Sequence, residues 1–310
     1  SSLKIGPAWD PESKITPLIR APSRELLRAL NTLEPGESWL LKPRQDPNNP
    51  ALWSPGIKMG VTKGSFTHQT ELFGPVLALM KAEDLDHAIT LANATPYGLT
   101  AGLHSLDERE HVRFEKAIVA GNCYINRTIT GALVQRQPFG GCKKSSFGHG
   151  SKAGGPNYLL QFMSAHQKHL PKEKAAVNIW VNRLSSILEK LDLSAEELGM
   201  WYGSVANYAF WWQRLKRDYD PSKVLGQDNF QRYVPHKKVV VRLYHDNKPL
   251  DYLRIFAAAL TTECSIQISW KRQGRQFPPS ANWQALLPLF NIVEETEEEF
   301  LDLVINQPFC

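Results

Sequence analysis

At 310 residues the chain is long enough to bury a sizeable core, and its length alone suggests two domains. A composition of 42% hydrophobic and 22% charged residues excludes a disordered chain. The formal net charge of +5 is mild and dispersed, which argues against a nucleic-acid partner, and no apolar run approaches the roughly 18 residues that span a bilayer. Cys123, Cys142, Cys264 and Cys310 show no paired spacing and read as reduced thiols of a cytosolic protein. The start carries no basic-then-apolar export signal and reads as chain interior.

Residues 1–65 alternate helix-like and turn-like text. Ser23 opens a short helix with Leu26, Leu27 and Leu30 on one predicted buried face. Trp39–Leu41, Leu52–Trp53 and Gly56–Val61 read as strands, with KPRQDPNNP between the first two as a solvated connection. Val76–Met80 is a continuous apolar run, as expected of a strand buried on both faces. A helix follows, with Leu85, Ala88, Ile89, Leu91 and Ala92 inward, acids in its first turn and Pro96 and Gly98 at its end. Leu103–Leu106, DEREHVRFEKAI and Asn122–Asn126 continue as strand, helix and strand. That alternation predicts an α/β fold with a mainly parallel sheet.

The polar stretch HQKHLPKEKAA places a domain boundary near residues 166–176. Beyond it the text predicts a helix at Arg183–Leu191, then an aromatic-rich helix from the capping box Ser194–Glu197 to Lys216. Strand 239–244, helix 251–260 and strand 265–270 form a β-α-β unit, followed by the acidic helix EETEEEFLDLVI. The aromatics Trp201, Tyr202, Tyr208, Phe210, Trp211 and Trp212 are expected to serve core and interdomain packing rather than base stacking.

Several local signals bear on chemistry. Glu71 precedes a Gly-Pro turn on the way into a strand, where a buried carboxylate needs a partner such as ribose hydroxyls. Spacing alone favours an ordinary surface glutamate. Thr130-Gly131-Ala132 and Gln137-Pro138-Phe139-Gly140-Gly141 combine small residues, whose amides can approach an anion; taken alone they suit a plain turn. Gly148–Ala153 satisfies G-x-G-x-x-G/A, but no strand precedes it and Gly154-Gly155-Pro156 blocks the required helix. Cys123 falls in a predicted buried strand and Cys142 in a Gly-rich loop; neither is read as a nucleophile. His166 and His169 lack the further ligands of a metal site.

Together, ELFGPVL (71–77), EDLDHAITLANATPYGL, GNCYINRTITGALVQRQPFGG and FGHGSKAGGPNYL closely resemble the C-terminal half of an aldehyde dehydrogenase catalytic domain. Within that family they are most similar to the 1-pyrroline-5-carboxylate dehydrogenase module of the bifunctional proline utilization A flavoproteins. The resemblance is strong over about residues 1–165. It implies that Glu71 holds the nicotinamide-side ribose of NAD with Phe73 lining the same pocket. It also implies that the Gly131 and Ala132 amides hold the substrate α-carboxylate while Phe139 packs on its aliphatic stem. Residues 1–168 would be half of the catalytic domain. Residues 169–310 would be a second, non-catalytic α/β domain resembling a dehydrogenase fold, suggested by ANYAFWWQRLKRDYDPSKVLGQDNFQRY.

By this resemblance the parent oxidises proline on FAD and then oxidises glutamate semialdehyde to glutamate with NAD. Its catalytic cysteine, general base and main nucleotide domain are expected upstream of Ser1, so this part alone is not expected to turn over. The expected partners are a small-molecule substrate, the preceding part of the same polypeptide and further copies in a homo-oligomer. Membrane or DNA contact is expected only through regions outside this chain. The competing readings are an inactive dehydrogenase-like assembly module, or an aldehyde dehydrogenase for another substrate.

Overall fold

The computed structural model describes residues 3–130, 133, 136–147, 151–166, 172–189, 191, 193–244, 247–271 and 287–306. The fold is mixed α/β and divides into two compact units: Ser1–Gly131 with Gly140–Gly150, and Ala132–Phe139 with Ser151–Cys310. By contacts, residues 132–139 and 151–168 group with the second unit.

In the first unit, helix α1 (Arg24–Asn31) begins where Ser23 Oγ accepts a hydrogen bond from the Leu26 amide at 3.3 Å. Leu26, Ala29 and Leu30 form its buried stripe. Leu27, predicted inside, is exposed: one residue beyond Leu26 it has turned about 100° round the helix. Strands β1 (Ser38–Leu41), β2 (Gln45–Asp46), β3 (Asn49–Trp53) and β4 (Gly56–Met59) follow. The connection predicted as solvated loop contains the β2–β3 hairpin. Asp46 Oδ1 accepts from the Asn48 and Asn49 amides at 2.8 and 3.0 Å, and this side-chain turn closes the hairpin inside proline-rich text.

Helix α2 (Phe66–Gln69) leads to strand β5 (Val76–Leu79), which pairs in parallel with β4, itself antiparallel to β1. β5 is not buried on both faces. Val76 packs against Leu26, Leu30 and Trp53, whereas Leu77 and Leu79 are exposed, because β5 is an edge strand among the described residues and only one face meets α1.

Helix α3 (Leu85–Asn93) is capped by Asp84, whose Oδ1 accepts from the His87 amide at 2.7 Å. It buries Ile89 and Leu91; Ala92, expected inward, is exposed. Strands β6 (Tyr97–Gly98) and β7 (Thr100–Leu103), helix α4 (Glu108–Ala117), and strands β8 (Asn122–Ile125) and β9 (Cys142–Lys143) complete the unit. β7 and β8 are parallel, β6 and β9 antiparallel. The strand predicted at 103–106 lies earlier, on Thr100–Leu103. Ser105 to Asp107 instead form the entry to α4, where Asp107 Oδ1 accepts from the Arg109 amide. The described residues of this unit thus carry separate short ladders rather than one mainly parallel sheet.

In the second unit, α5 (Ile179–Leu188) starts ahead of its predicted position because Asn178 caps it, accepting from the Val181 amide at 3.0 Å. Helix α6 (Ala195–Leu215) carries both bonds of the Ser194–Glu197 capping box. Strand β10 (Lys238–Leu243), helix α7 (Pro249–Thr261), strand β11 (Ser265–Lys271), strand β12 (Phe290–Glu295) and helix α8 (Glu297–Asn306) follow. β10, β11 and β12 form an all-parallel sheet in that order. The core joins Val181, Leu184 and Leu188 of α5 to Trp201 of α6, Leu253 and Phe256 of α7, and Ile268 of β11. Trp201 is fully buried with its indole N–H donated to Ser185 Oγ at 2.9 Å, while Tyr202 and Trp211 remain about half exposed.

Candidate functional site

The loop between α2 and β5 turns on a pair of neighbouring side chains sent opposite ways. Leu72 packs into the cluster of Leu26, Leu30 and Trp53. Phe73 takes a left-handed backbone, φ 49°, and leaves its ring 89% exposed. A bulky residue in that region is a rare, strained conformation, and such strain collects at functional loops. A Cβ on Gly74 would lie 2.5 Å from the Leu26 methyls, so a larger residue there would force Leu26 to shift. Glu71 is exposed, as its spacing alone favours; the loop crosses the surface before it dives. Among the described residues the Glu71 carboxylate has no hydrogen-bond or ion-pair partner.

The same unit holds a buried ion pair that sequence reasoning missed. Lys58 of β4 and Glu37 are each 1% exposed at the side chain, with Nζ 3.3 Å from Glu37 Oε2. The ammonium also donates to Thr32 O at 2.9 Å and Thr67 Oγ1 at 3.1 Å, and it lies 5.3 Å from the Trp39 ring centroid. Glu37 Oε2 accepts in addition from the Glu34 amide, and Glu34 Oε2 from the Phe66 amide. The end of α1, the start of β1 and helix α2 are therefore tied to one cation. An isolated lysine inside an apolar strand is the only sequence signal for it.

The second feature gathers at the carboxyl ends of parallel strands β7 and β8, where open α/β sheets commonly bind ligands. Asn126, also left-handed at φ 55°, clamps the two ends. Its Oδ1 accepts from the Ser105 amide at 3.0 Å and its Nδ2 donates to Ser105 O at 2.8 Å. Above them lies an open concavity of about 420 Å³ lined by Gly102, His104, Arg127, Thr128, Ile129 and Thr130. The Arg127 guanidinium sits 5.5 Å from the Tyr124 ring. Burial pushes the Tyr124 hydroxyl above its ordinary pKa, against the opposing pull of Arg127.

Thr130 runs directly into the loop predicted to bind a carboxylate, but Gly131 and Ala132 lie outside the described residues, as do Gly148, His149 and Gly150 of the rejected glycine motif and His169. Phe139 belongs to the second unit, where it exchanges backbone hydrogen bonds with Ala153, both at 3.0 Å. Glu71 and Phe73 belong to the first. Cys123, expected to be buried, is exposed; Cys142 is half-buried on β9 with its thiol directed at Gly98 O. Among the described residues no three His, Cys, Asp or Glu side chains gather as a metal site, and no helix is long and apolar enough to cross a membrane.

Comparison with known proteins is consistent across methods. The 1-pyrroline-5-carboxylate dehydrogenase of Bacillus subtilis (strain 168) is 36% identical over 165 residues, covering 53% of this chain and 32% of that protein. Its counterpart in Geobacillus sp. (strain WCH70) is 48% identical over 97 residues, 31% of this chain and 18% of the relative. Among solved structures, proline utilization A from Corynebacterium freiburgense superposes with a TM-score of 0.76 at 34% identity, over 94% of this chain and 30% of that one. The chain thus spans about a third or less of the length of these relatives. The model of the aldehyde dehydrogenase family matches residues 1–167, more than half of the sequence, and the chain belongs to that family.

Proposed function

We propose that this chain is the C-terminal portion of a bifunctional proline-catabolising enzyme and contributes part of its aldehyde-oxidising site. In this reading residues 1–168 are the C-terminal half of the catalytic domain, and residues 169–310 are a non-catalytic α/β domain of dehydrogenase-like outline. The complete enzyme oxidises proline on FAD, held in a module outside this chain, and then oxidises glutamate semialdehyde to glutamate. It works in the cytoplasm as a homo-oligomer.

The observation that carries the reading is the Glu71–Gly74 loop: an exposed, unpartnered carboxylate beside an aromatic ring held outward by left-handed backbone. That pair fits a nucleotide ribose. Vicinal hydroxyls can donate to the carboxylate, and Phe73 offers an apolar wall. Glu71 and Phe73 would hold NAD, which supplies hydride-accepting chemistry when bound. Gly131 and Ala132 would receive the substrate carboxylate through backbone amides, with Phe139 against its aliphatic stem. The nucleophile and general base lie outside the chain in this reading, so the isolated chain should show no turnover.

The test uses two variants of the full-length polypeptide. Glu71→Ala should raise KM for NAD roughly ten- to a hundred-fold, the loss of charge-assisted bonds, and leave KM for the semialdehyde near its original value. Ala132→Pro removes one amide donor and fixes φ near −65°. It should lower kcat/KM on glutamate semialdehyde by a similar factor but spare an aldehyde of equal length lacking the carboxylate. Equal losses on both aldehydes would defeat the anchor assignment, and an unchanged KM for NAD would defeat the ribose assignment.

A further inference from the structure

The second unit holds the Phe139 segment through an element far away in sequence. The Arg136 and Gln137 amides both donate to Leu133 O. Gln137 Nε2 then donates to Asn229 Oδ1 at 3.3 Å, across 92 residues of chain. Asn229 is no loose acceptor. Its amide donates to Asp220 Oδ2 at 3.0 Å, its Nδ2 donates to Ser222 Oγ at 2.8 Å, and Gln227 Nε2 also donates to its Oδ1.

Asp220 organises the whole loop. Its Oδ1 accepts from the Ser222 amide, the Ser222 hydroxyl and the Lys223 amide, at 2.8, 2.8 and 3.0 Å. The Asn229 and Lys223 amides, with the Ser222 donors, hold the Asp220 carboxyl far below the usual carboxylate range, so it stays charged throughout the physiological pH range. A strand-like bridge between Tyr219 and Gln231, with amide bonds of 3.0 and 2.8 Å, ties off its base. Two residues beyond Gln137, Phe139 is fixed on its other side by Ala153.

We propose that Asn229 is a positioning residue for the substrate loop. The Asp220–Asn229 loop is a preformed bracket, and its contact holds Gln137, two residues ahead of Phe139. The Asp220–Asn229 loop thereby acts on semialdehyde recognition without itself touching substrate. The inference rests on the assignment of Ala132 and Phe139 to substrate given above. Its physical basis is that binding groups gain from being held in place before the ligand arrives, so slack in the loop appears as weaker substrate binding.

The test is a double-mutant cycle in the full-length polypeptide, with KM and kcat for glutamate semialdehyde measured separately. Gln137→Met removes the bond to Asn229, and Asn229→Ala removes that bond together with those to Gln227 and Ser222, so each should raise KM, by at least about two- to ten-fold, with kcat changed less than about two-fold. The double variant should be no worse than the weaker single, because both act through one contact. Asn229→Asp keeps the acceptor for Gln137 but gives up the bond to Ser222, and should restore part of the loss. If Asn229→Ala fails to fold, Gln137→Met still removes the contact by itself, and an unchanged KM there overturns the proposal. Additive losses, unchanged KM in both single variants, or a fall confined to kcat would overturn the proposal. If Ala132→Pro spares the carboxylate-free aldehyde while this cycle is flat, the bracket fails and the anchor loop stands. If Ala132→Pro harms both aldehydes alike, the anchor reading fails and the bracket loses its function with it.

Discussion

Replacing Lys58 by methionine is the sharpest probe of what ties α1, β1 and α2 together. Methionine matches the aliphatic stem of lysine, so packing against Trp39 and within the sheet changes little. What is lost is the ammonium, which lies 2.9–3.3 Å from Thr32 O, Thr67 Oγ1 and Glu37 Oε2 in a space 1% exposed. Glu37 is then left as a buried carboxylate without its counter-charge, retaining only the Glu34 amide on Oε2. Its Oε1 has no hydrogen-bond partner among the described residues even with lysine present. Removing one member of a buried pair costs about 3–5 kcal/mol, mostly the stranded charge. Native-state hydrogen exchange at the β4 and β5 amides reads this unit apart from the second one, and should accelerate roughly 10²- to 10⁴-fold. Lys58→Met combined with Glu37→Gln removes the stranded charge but keeps an acceptor for Glu34, and should recover all but about 1–2 kcal/mol. If Lys58→Met alone exchanged within about threefold of the parent chain, or the double variant were no better, the pair would not be the tie between α1, β1 and α2.

Two further outcomes follow from the same unit. Phe73→Gly relieves a left-handed backbone at little cost in burial, since the ring is 89% exposed, and should stabilise the unit by about 0.5–1 kcal/mol in the same exchange assay; destabilisation would mean the ring packs against the chain. At the start of α4, the Arg109 side chain and amide hold the Asp107 carboxyl at about 2, against an ordinary 3.8. The lowered folded-state value means its stabilisation is complete above 3.8 and is lost as pH falls toward 2, so thermal melts should separate the parent chain from Asp107→Asn near neutrality and converge in acid.

How far the sequence could be read depended on the range of the interactions involved. Local rules worked: Ser23, Asp84 and Ser194 cap helices through bonds closed within three residues. The parallel β10–α7–β11 unit was legible because valine and isoleucine runs flank an amphipathic stretch. Strand β12 was missed because FNIVEE merges into the acidic run of α8, so the change from a two-residue to a helical period is hidden by composition. Strand β7 was displaced for a related reason: Thr100-Ala101-Gly102 offers no alternating apolar pattern, and Gly102 is small because Ile129 lies over it. The Lys58–Glu37 pair and the Asn229–Gln137 contact span 21 and 92 residues, and no local pattern announces either. For the site, motif resemblance pointed to Glu71 and Phe73, but their exposure and the left-handed turn emerge only in three dimensions.

The second unit illustrates how a sheet of nucleotide-binding outline can be occupied by its own side chains. In open α/β sheets a ligand lies beyond the carboxyl ends of the strands, its phosphates against a glycine turn and a helix N-terminus. Here Arg242, the penultimate residue of β10 and 7% exposed at the side chain, donates to Ser269 Oγ of β11 at 2.7 Å and to Glu295 O at the end of β12. It also pairs with Glu297 Oε2 at 3.3 Å, and Tyr244 donates to the same carboxylate. Ser269 in turn donates to Glu295. All three strand ends are thus bound to one guanidinium and to the acidic first turn of α8. A phosphate brought to this edge would have to displace Glu297 from Arg242 while approaching Glu295, and it would meet a β10–α7 connection that ends in Lys248 and Pro249 rather than glycine. This internal pairing supports the proposal that the unit acts on the neighbouring chemistry by bracing loops, as Asn229 braces Gln137, and not by holding a nucleotide of its own.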